Sequence, residues 1–493
     1  MVISTTTAGT PGGSTHRYFS EHLTVDERIA KGKKARVTAP RRSHEQWEQG
    51  GGRPDPVALL QGQAATRVPE LVPIRYGRMM VSPFTFYRGA ALIMASDLST
   101  TADSGLTVQA CGDAHLSNFG VFASAERTLV FDLNDFDETL PGPWEWDVKR
   151  LTASLAIAGR DRGFSDKERA NVVLGTAAAY RTEMARLAKL RDLDVWYSRV
   201  DIEAVLRQIG GELGLDGRKG ADKTLSKVKA RADKLLAKAK TRDSMQALEK
   251  LTEVVDGETR FVSEPPLIVP IEELLPEAEA TGATDRFHTM LTSYRRTLQS
   301  DRQHLLNQFQ FAGIARKVVG VGSVGTRAWV VLMLGRDGQD PLLLQAKEAQ
   351  VSVLAEFAGK SKYSHQGERV VAGQHLMQAS SDIFLGWDRV DGLDGVRRDF
   401  YVRQLRDWKG SADVDQMIPP GMQAYGQLCG ATLARAHARS GDRIAIAAYL
   451  GTSDTFDKAV CSFSETYADQ NERDYDALLK AISDGRVIAQ SGV

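Results

Sequence analysis

The stretch "VQACGDAHLSNFGVF", residues 108–122, sets Asp113 and Asn118 five positions apart in a polar, glycine-bearing turn between apolar residues. Phosphoryl transfer needs a carboxylate at the acceptor hydroxyl and oxygen ligands for magnesium, which prefers carboxylates and water in octahedral geometry. Asp113 suits the first task. Asn118 and Asp132 suit the second, because Asp132 closes the apolar run "TLVFDL" as a metal-binding aspartate at a strand end would. Asp135 of "DFD", three residues further on, stands in reserve. A second group lies about 200 residues downstream. Gly320, Gly322 and Gly325, with Ser323 among them, form GxGxxG, and Lys347 follows in the apolar run "LLLQAKEA". Glycine lets backbone N–H groups approach an anion, and a buried ammonium needs negative partners. Phosphate would be one. A helix carboxylate would be the other: Glu368 in "HQGERVVAGQHLMQ", with Glu356 as the alternative.

These residues need elements to hold them. The runs "LTVQA" and "TLVFDL" read as a hairpin-like pair bracketing the Asp113 turn, and "VSPFTFYRG" carries a turn at Ser82-Pro83. From Trp144 the pattern becomes helical, and Ser165 and Glu168 occupy capping-box positions before a long helix. Residues 218–250 carry eleven Lys/Arg against four Asp/Glu, with Leu225, Val228, Leu235, Leu236 and Ala239 on one side, the pattern of a basic amphipathic helix. From residue 311 the texture is β-rich. The GxGxxG lies between two strand-like runs with no helix after it, which excludes a dinucleotide-binding strand-turn-helix and fits a glycine-rich lid over ATP phosphates. "DIFLGWDRV" and "RDFYVRQL" supply two more strands, and from Gly421 the chain is helical. Residues 1–65, rich in Gly, Pro and Arg, read as an arm wrapped on a larger body, with a disordered Thr/Gly/Ser tip.

Composition narrows the class. Lys plus Arg equals Asp plus Glu, 63 each, so no global field draws nucleic acid or an anionic membrane. The three cysteines, Cys111, Cys429 and Cys461, lack metal-ligand spacing, which fits a reducing cytoplasm rather than a disulfide framework. No apolar run approaches the roughly 20 residues that span a bilayer.

The segment "CGDAHLSNFGV…TLVFDLND" resembles the catalytic segment of aminoglycoside and choline phosphotransferases, HGDxxxxN followed by a strand ending "IDF" or "IDL". Over about residues 20–480, "SPFTFYRG", "GDAHLSNFG", "FDLNDFDET", "GSVGTRAW", "QAKEA" and "LARAHARSGD" resemble the bacterial family known as domain of unknown function 2252. The phosphotransferase resemblance implies Asp113 as catalytic base, Asn118 and Asp132 as Mg²⁺ ligands, and Asp147 as a buttress of the catalytic loop. Cys111 stands where that pattern has histidine. The order departs from a kinase, in which the Gly-loop and lysine precede the catalytic loop. No lysine occurs between Lys34 and Lys149, so the segment before Asp113 offers no strand lysine. "QLCGATLARAHARSGD" resembles the long helix that leads into such a loop, yet it follows the Gly-loop here.

The expectation is therefore an α+β, bilobal, protein-kinase-like fold in circularly permuted order. Residues 1–65 form the arm, 66–310 a mainly helical lobe bearing the catalytic loop, 311–411 a small antiparallel β nucleotide lobe, and 412–493 helices that complete the catalytic lobe. The expected activity is ATP- and Mg²⁺-dependent phosphoryl transfer to a hydroxyl. Only about ten residues separate Asp132 from the helix at Trp144, too few for a peptide-docking segment, which favours a small-molecule acceptor. Arg75, Arg78 and Arg88 are candidates to grip an anionic acceptor. The alternatives are a nucleotide-binding regulatory module of the pseudokinase type and an AMP-transferring enzyme.

Overall fold

A computed structural model describes residues 23–202, 230, 233–234, 236–275, 289–392, 394–405 and 407–492. The expected N-terminal tip and, of the expected basic helix, residues 218–229, 231–232 and 235 lie outside the described residues.

The fold is α+β. Thirteen strands are described: β1 (Thr107–Ala110), β2 (Phe119–Ala123), β3 (Leu129–Leu133), β4 (Leu140–Pro143), β5 (Thr252–Val255), β6 (Glu258–Phe261), β7 (Ile268–Pro270), β8 (Gln310–Lys317), β9 (Ala328–Leu334), β10 (Pro341–Glu348), β11 (Gly386–Asp391), β12 (Arg397–Gln404) and β13 (Gly410–Ser411). The main sheet is antiparallel with order β11-β12-β10-β9-β8-β7. All of β10 is buried, which explains its continuous apolar character. Leu342, Leu344 and Ala346 face one side, with Val331, Met333 and Phe400, under Tyr294, Leu298 and Leu306. Leu343 faces the other side, with Val330 and Leu332, under Ala247, Leu248 and Leu251 of the helix Ser244–Leu251. Alternation puts Gln345 and Lys347 on the Leu343 side.

The helical body packs Trp144–Asp161, Asp166–Leu187, Pro419–Ser440 and Thr455–Ser483 around one core. Trp144 stacks on Tyr180 at a centroid distance of 5.6 Å. The expected capping box is present, with Ser165 accepting from the Glu168 N–H and Glu168 accepting in return. Asp166–Leu187 and Pro419–Ser440 approach closely because small residues line the contact: a Cβ on Gly430 would lie 2.4 Å from the Thr176 carbonyl oxygen.

Several local expectations change. β1 and β3 do not pair with each other. β1 pairs with β4, and β3 pairs with β2, so the polar turn joins two small sheets rather than capping one hairpin. An apolar run specifies a strand without naming its partner. Ser82-Pro83 is no free turn but the N-cap and first residue of the helix Pro83–Gly89, Ser82 accepting from the Thr85 N–H. The main sheet recruits β7, so the β-rich part begins before residue 311. The described part of the basic segment is broken at Thr241–Asp243, where Asp243 caps Ser244–Leu251 by accepting from the Gln246 N–H. The arm contains the helices Val25–Thr38 and Pro56–Ala64 despite weak periodicity, each with a side-chain N-cap. It lies on the body through Arg36 and Arg41, which donate to the carbonyls of Tyr449 (2.8 Å) and Leu450 (2.6 Å).

Candidate functional site

The turn after β1 is held from below by Asp147, in the first turn of Trp144–Asp161. Its carboxylate accepts the N–H groups of Cys111 (2.6 Å) and Gly112 (2.9 Å), and His437 lies 3.1 Å away through Nε2. Gly112 has φ +83°, and a Cβ there would lie 2.4 Å from the Glu138 carbonyl oxygen, so only glycine fits. Asn118 then ties this turn to the one after β3. Its amide nitrogen donates to the carbonyls of Asp113 (3.0 Å) and Asp135 (2.9 Å), and its oxygen accepts the Asp135 N–H (2.7 Å). Cys111 adds a contact from Sγ to the Asp135 carbonyl at 3.3 Å.

Arg150 positions the Asp113 carboxylate. Nε and Nη2 both bond Oδ1, at 2.8 and 2.6 Å, while the guanidinium stacks on Tyr87 at 4.1 Å. Oδ2 remains, 3.8 Å from Nε2 of His115, in a side chain 26% exposed. Burial pushes the His115 pKa down to about 4, so its imidazole is neutral near pH 7.

The main sheet meets this turn. Lys347 reaches Asp137 at 2.6 Å and Asp135 at 3.5 Å, Tyr401 donates to Asp137 Oδ1 at 2.7 Å, and Ser323 of the Gly-rich loop donates to Asp137 Oδ2 at 3.5 Å. Tyr401 is the cross-strand partner of Lys347, and Arg403, two residues on, donates to the Asn134 carbonyl at 2.9 Å. Burial alone would lower the Lys347 pKa, yet Asp135 and then Asp137 hold it above the ordinary lysine range. Burial would likewise raise Asp135, but Lys347, Arg403 and Lys409 hold it below the usual carboxylate range. Asp137 is raised by burial and then by Asp135 beside it. Two neighbouring carboxylates under one ammonium are a donor set that fits an oxygen-preferring divalent cation, although among the described residues no three His, Cys, Asp or Glu converge on a metal position.

The Gly-rich loop joins β8 and β9, as its context indicated, and rests on the N-terminal helices. Arg78 donates to the Gly320 carbonyl at 2.6 Å, Arg67 to that of Val324, and the Val68 N–H to that of Gly325 at 2.8 Å. A Cβ on Gly322 would stand 3.0 Å from the Arg88 carbonyl oxygen.

Four expectations shift. Asp132 is 2% exposed, ion-paired with Arg435, and accepts the N–H groups of Leu133 (3.0 Å) and Ala379 (3.2 Å), so its oxygens face protein rather than solvent. The reserve residue Asp135 keeps a side chain 41% exposed and faces Lys347 instead. Both ends of the Asn118 amide are occupied, which makes it a strut. Glu368 and Glu356 do not contact Lys347; the helix Gln366–Met377 instead sends Arg369 to the carbonyls of Asp137 (2.8 Å) and Thr139 (2.7 Å), and Asp137 is the partner of Lys347. Arg75 is 1% exposed and serves the Leu60 and Gly89 carbonyls and Gln63, away from Asp113. Asp137, Tyr401, Arg403 and Arg150 escaped sequence reasoning; the two-residue alternation of β12 opposite Lys347 was the signal for Tyr401 and Arg403. A separate cavity of about 300 Å³ lies behind Arg403, among Phe309, Leu342, Gln374, Asp382 and Lys409, with none of Asp113, Asp135, Asp137 or Lys347 in its wall.

Among the described residues no helix is long and apolar enough to cross a membrane. A family model described as "Uncharacterized protein conserved in bacteria (DUF2252)" matches residues 67–481. No curated protein and no solved structure matches the chain.

Proposed function

The chain belongs to DUF2252, a family of uncharacterized proteins conserved in bacteria, and we propose that it is an ATP- and Mg²⁺-dependent phosphotransferase acting on a hydroxyl of a small-molecule acceptor. One observation carries the reading: Lys347, on the strand after the Gly-rich hairpin, meets Asp135 and Asp137 beside the Asp113 turn, across more than 200 residues of sequence. Gly-loop, lysine, paired acidic groups and a loop aspartate are the parts that phosphoryl transfer requires.

Each residue then has a task. Asp113 accepts the acceptor proton on Oδ2, because Arg150 occupies Oδ1. Asp135 and Asp137 would hold Mg²⁺ through their carboxylate oxygens, and Lys347, which pairs with them here, would serve the phosphate oxygens. Asn118, Asp147 and Cys111 fix the two turns relative to each other. ATP supplies the phosphoryl group, and Mg²⁺ neutralises charge on it. The order β8, Gly-loop, β9, β10, helix Gln366–Met377, β11, β12 supports the reading of this sheet as a nucleotide lobe of protein-kinase-like type. Circular permutation is supported by the end of Pro419–Ser440, where Ser440 Oγ accepts the Gln109 N–H at 3.2 Å and a Cβ on Gly441 would lie 2.6 Å from Val108. The helix thus stops at the strand that leads into the catalytic turn, where an unpermuted chain would continue.

The test is incubation with Mg²⁺, a fractionated bacterial metabolite extract and ATP labelled at the α- or γ-phosphate, using wild type and Asp113→Asn. Transfer of γ-label by wild type alone supports the reading. Transfer of α-label would mean AMP transfer, and nucleotide binding without transfer a regulatory module.

A further inference from the structure

The N-terminal arginines under the Gly-rich loop are unequal. Arg67, Arg75 and Arg78 spend their guanidinium groups on carbonyl oxygens of the loop and of neighbouring helices. Arg88 has no hydrogen-bond or ion-pair partner among the described residues, and its Nε is buried without an acceptor. A half-buried guanidinium that makes no hydrogen bond and whose Nε has lost water leaves its donors for an anion to complete. Its position indicates which anion. Arg88 ends the helix Pro83–Gly89, its carbonyl lies directly under Gly322, and the preceding residue, Tyr87, carries the Arg150 that pins Asp113. The charged groups around it are Asp113 and Asp415, with neutral His115 nearby. Arg88 therefore joins the two parts: its backbone carbonyl lies against the loop at Gly322, and its guanidinium acts on Asp113.

We propose that Arg88 receives the terminal phosphoryl group of the nucleotide. The proposal rests on the phosphotransferase reading above. A guanidinium can take two phosphate oxygens at once and keeps its charge at every working pH, so it holds the group that leaves ATP while contributing nothing to ADP.

The experiment is calorimetric titration of Mg·ATP and Mg·ADP into wild type, Arg88→Met and Arg88→Lys. Arg88→Met should weaken ATP by about tenfold or more, as expected for a lost charge-assisted contact, and leave ADP within about twofold. Arg88→Lys should recover part of the ATP loss. Retained ADP binding also shows that the variant is folded. An unchanged ratio of ATP to ADP affinity in Arg88→Met overturns the proposal while leaving the phosphotransferase reading standing, and would assign the arginine to the acceptor side. Wild type that binds neither nucleotide overturns both.

Discussion

Replacing Lys347 with methionine keeps the stem and removes the ammonium that faces two carboxylates. Breaking a buried ion pair costs about 3–5 kcal/mol because a charge is left uncompensated. Lys347 is 3% exposed through its side chain, but Asp137 and Asp135 keep 27% and 41% exposure, so water screens much of the loss. About 1–3 kcal/mol is expected near neutral pH. The pH dependence has a definite sign. Asp137 is already held above the ordinary range by burial and then by Asp135, and losing Lys347 raises it further. A carboxyl with a raised folded pKa contributes stability below its unfolded value of about 3.9, and that contribution is lost as pH rises through the folded value. The penalty of Lys347→Met should therefore be largest near about pH 7.5 and should shrink toward about pH 5. Urea unfolding of wild type, Lys347→Met and Lys347→Met/Asp137→Asn at both pH values measures it. The double variant should recover much of the loss at the higher pH, while neither variant binds Mg·ATP. A penalty equal at both pH values, or a double variant no more stable than the single one, refutes the electrostatic account.

Asp135→Asn should abolish Mg²⁺-dependent nucleotide binding and cost less stability than Asp132→Asn, because Asp137 still pairs Lys347, whereas Asp132→Asn should lower stability by about 2–4 kcal/mol, since it leaves buried Arg435 unpaired; titration and urea unfolding of both variants separate the two roles. Asp147→Ala deprives two buried N–H groups of their acceptor, at about 1–3 kcal/mol each. It should reduce turnover more than ATP affinity, because the turn that loosens carries Asp113 and not Lys347; single-turnover rates beside equilibrium binding check this.

What the sequence disclosed was local. The Gly-rich hairpin, β10 with its lysine, the Asp113 turn and the helix caps are each written within a dozen residues, and the structure contains these elements. The choice between Asp132 and Asp135 was not local. Both follow an apolar run, and what removes Asp132 from the cleft is Arg435, 303 residues away. The lysine partner shows the same limit. A buried ammonium demands a carboxylate, which is sound, but Glu368 was selected for lying on a helix, and Asp137 meets the demand from a turn that the sequence puts 210 residues earlier. The pairing of β1 with β4 escaped for a related reason, since alternation reports which face is buried and says nothing about the neighbour.

The long spans of these pairs also order events during synthesis. The Asp113 turn emerges early, but Asp147 meets His437 only 290 residues later and Asp132 meets Arg435 only after 303. At bacterial rates of roughly 5–20 residues per second, that is a delay of roughly 15–60 s. Through that interval the nascent chain carries acidic groups destined for burial whose partners do not yet exist, so the turn cannot take its final shape until the helix Pro419–Ser440 has been made. A chain cut short before the helix Pro419–Ser440 would hold Asp113, Asp137 and Lys347 and still lack the side chains that anchor Asp132 and Asp147.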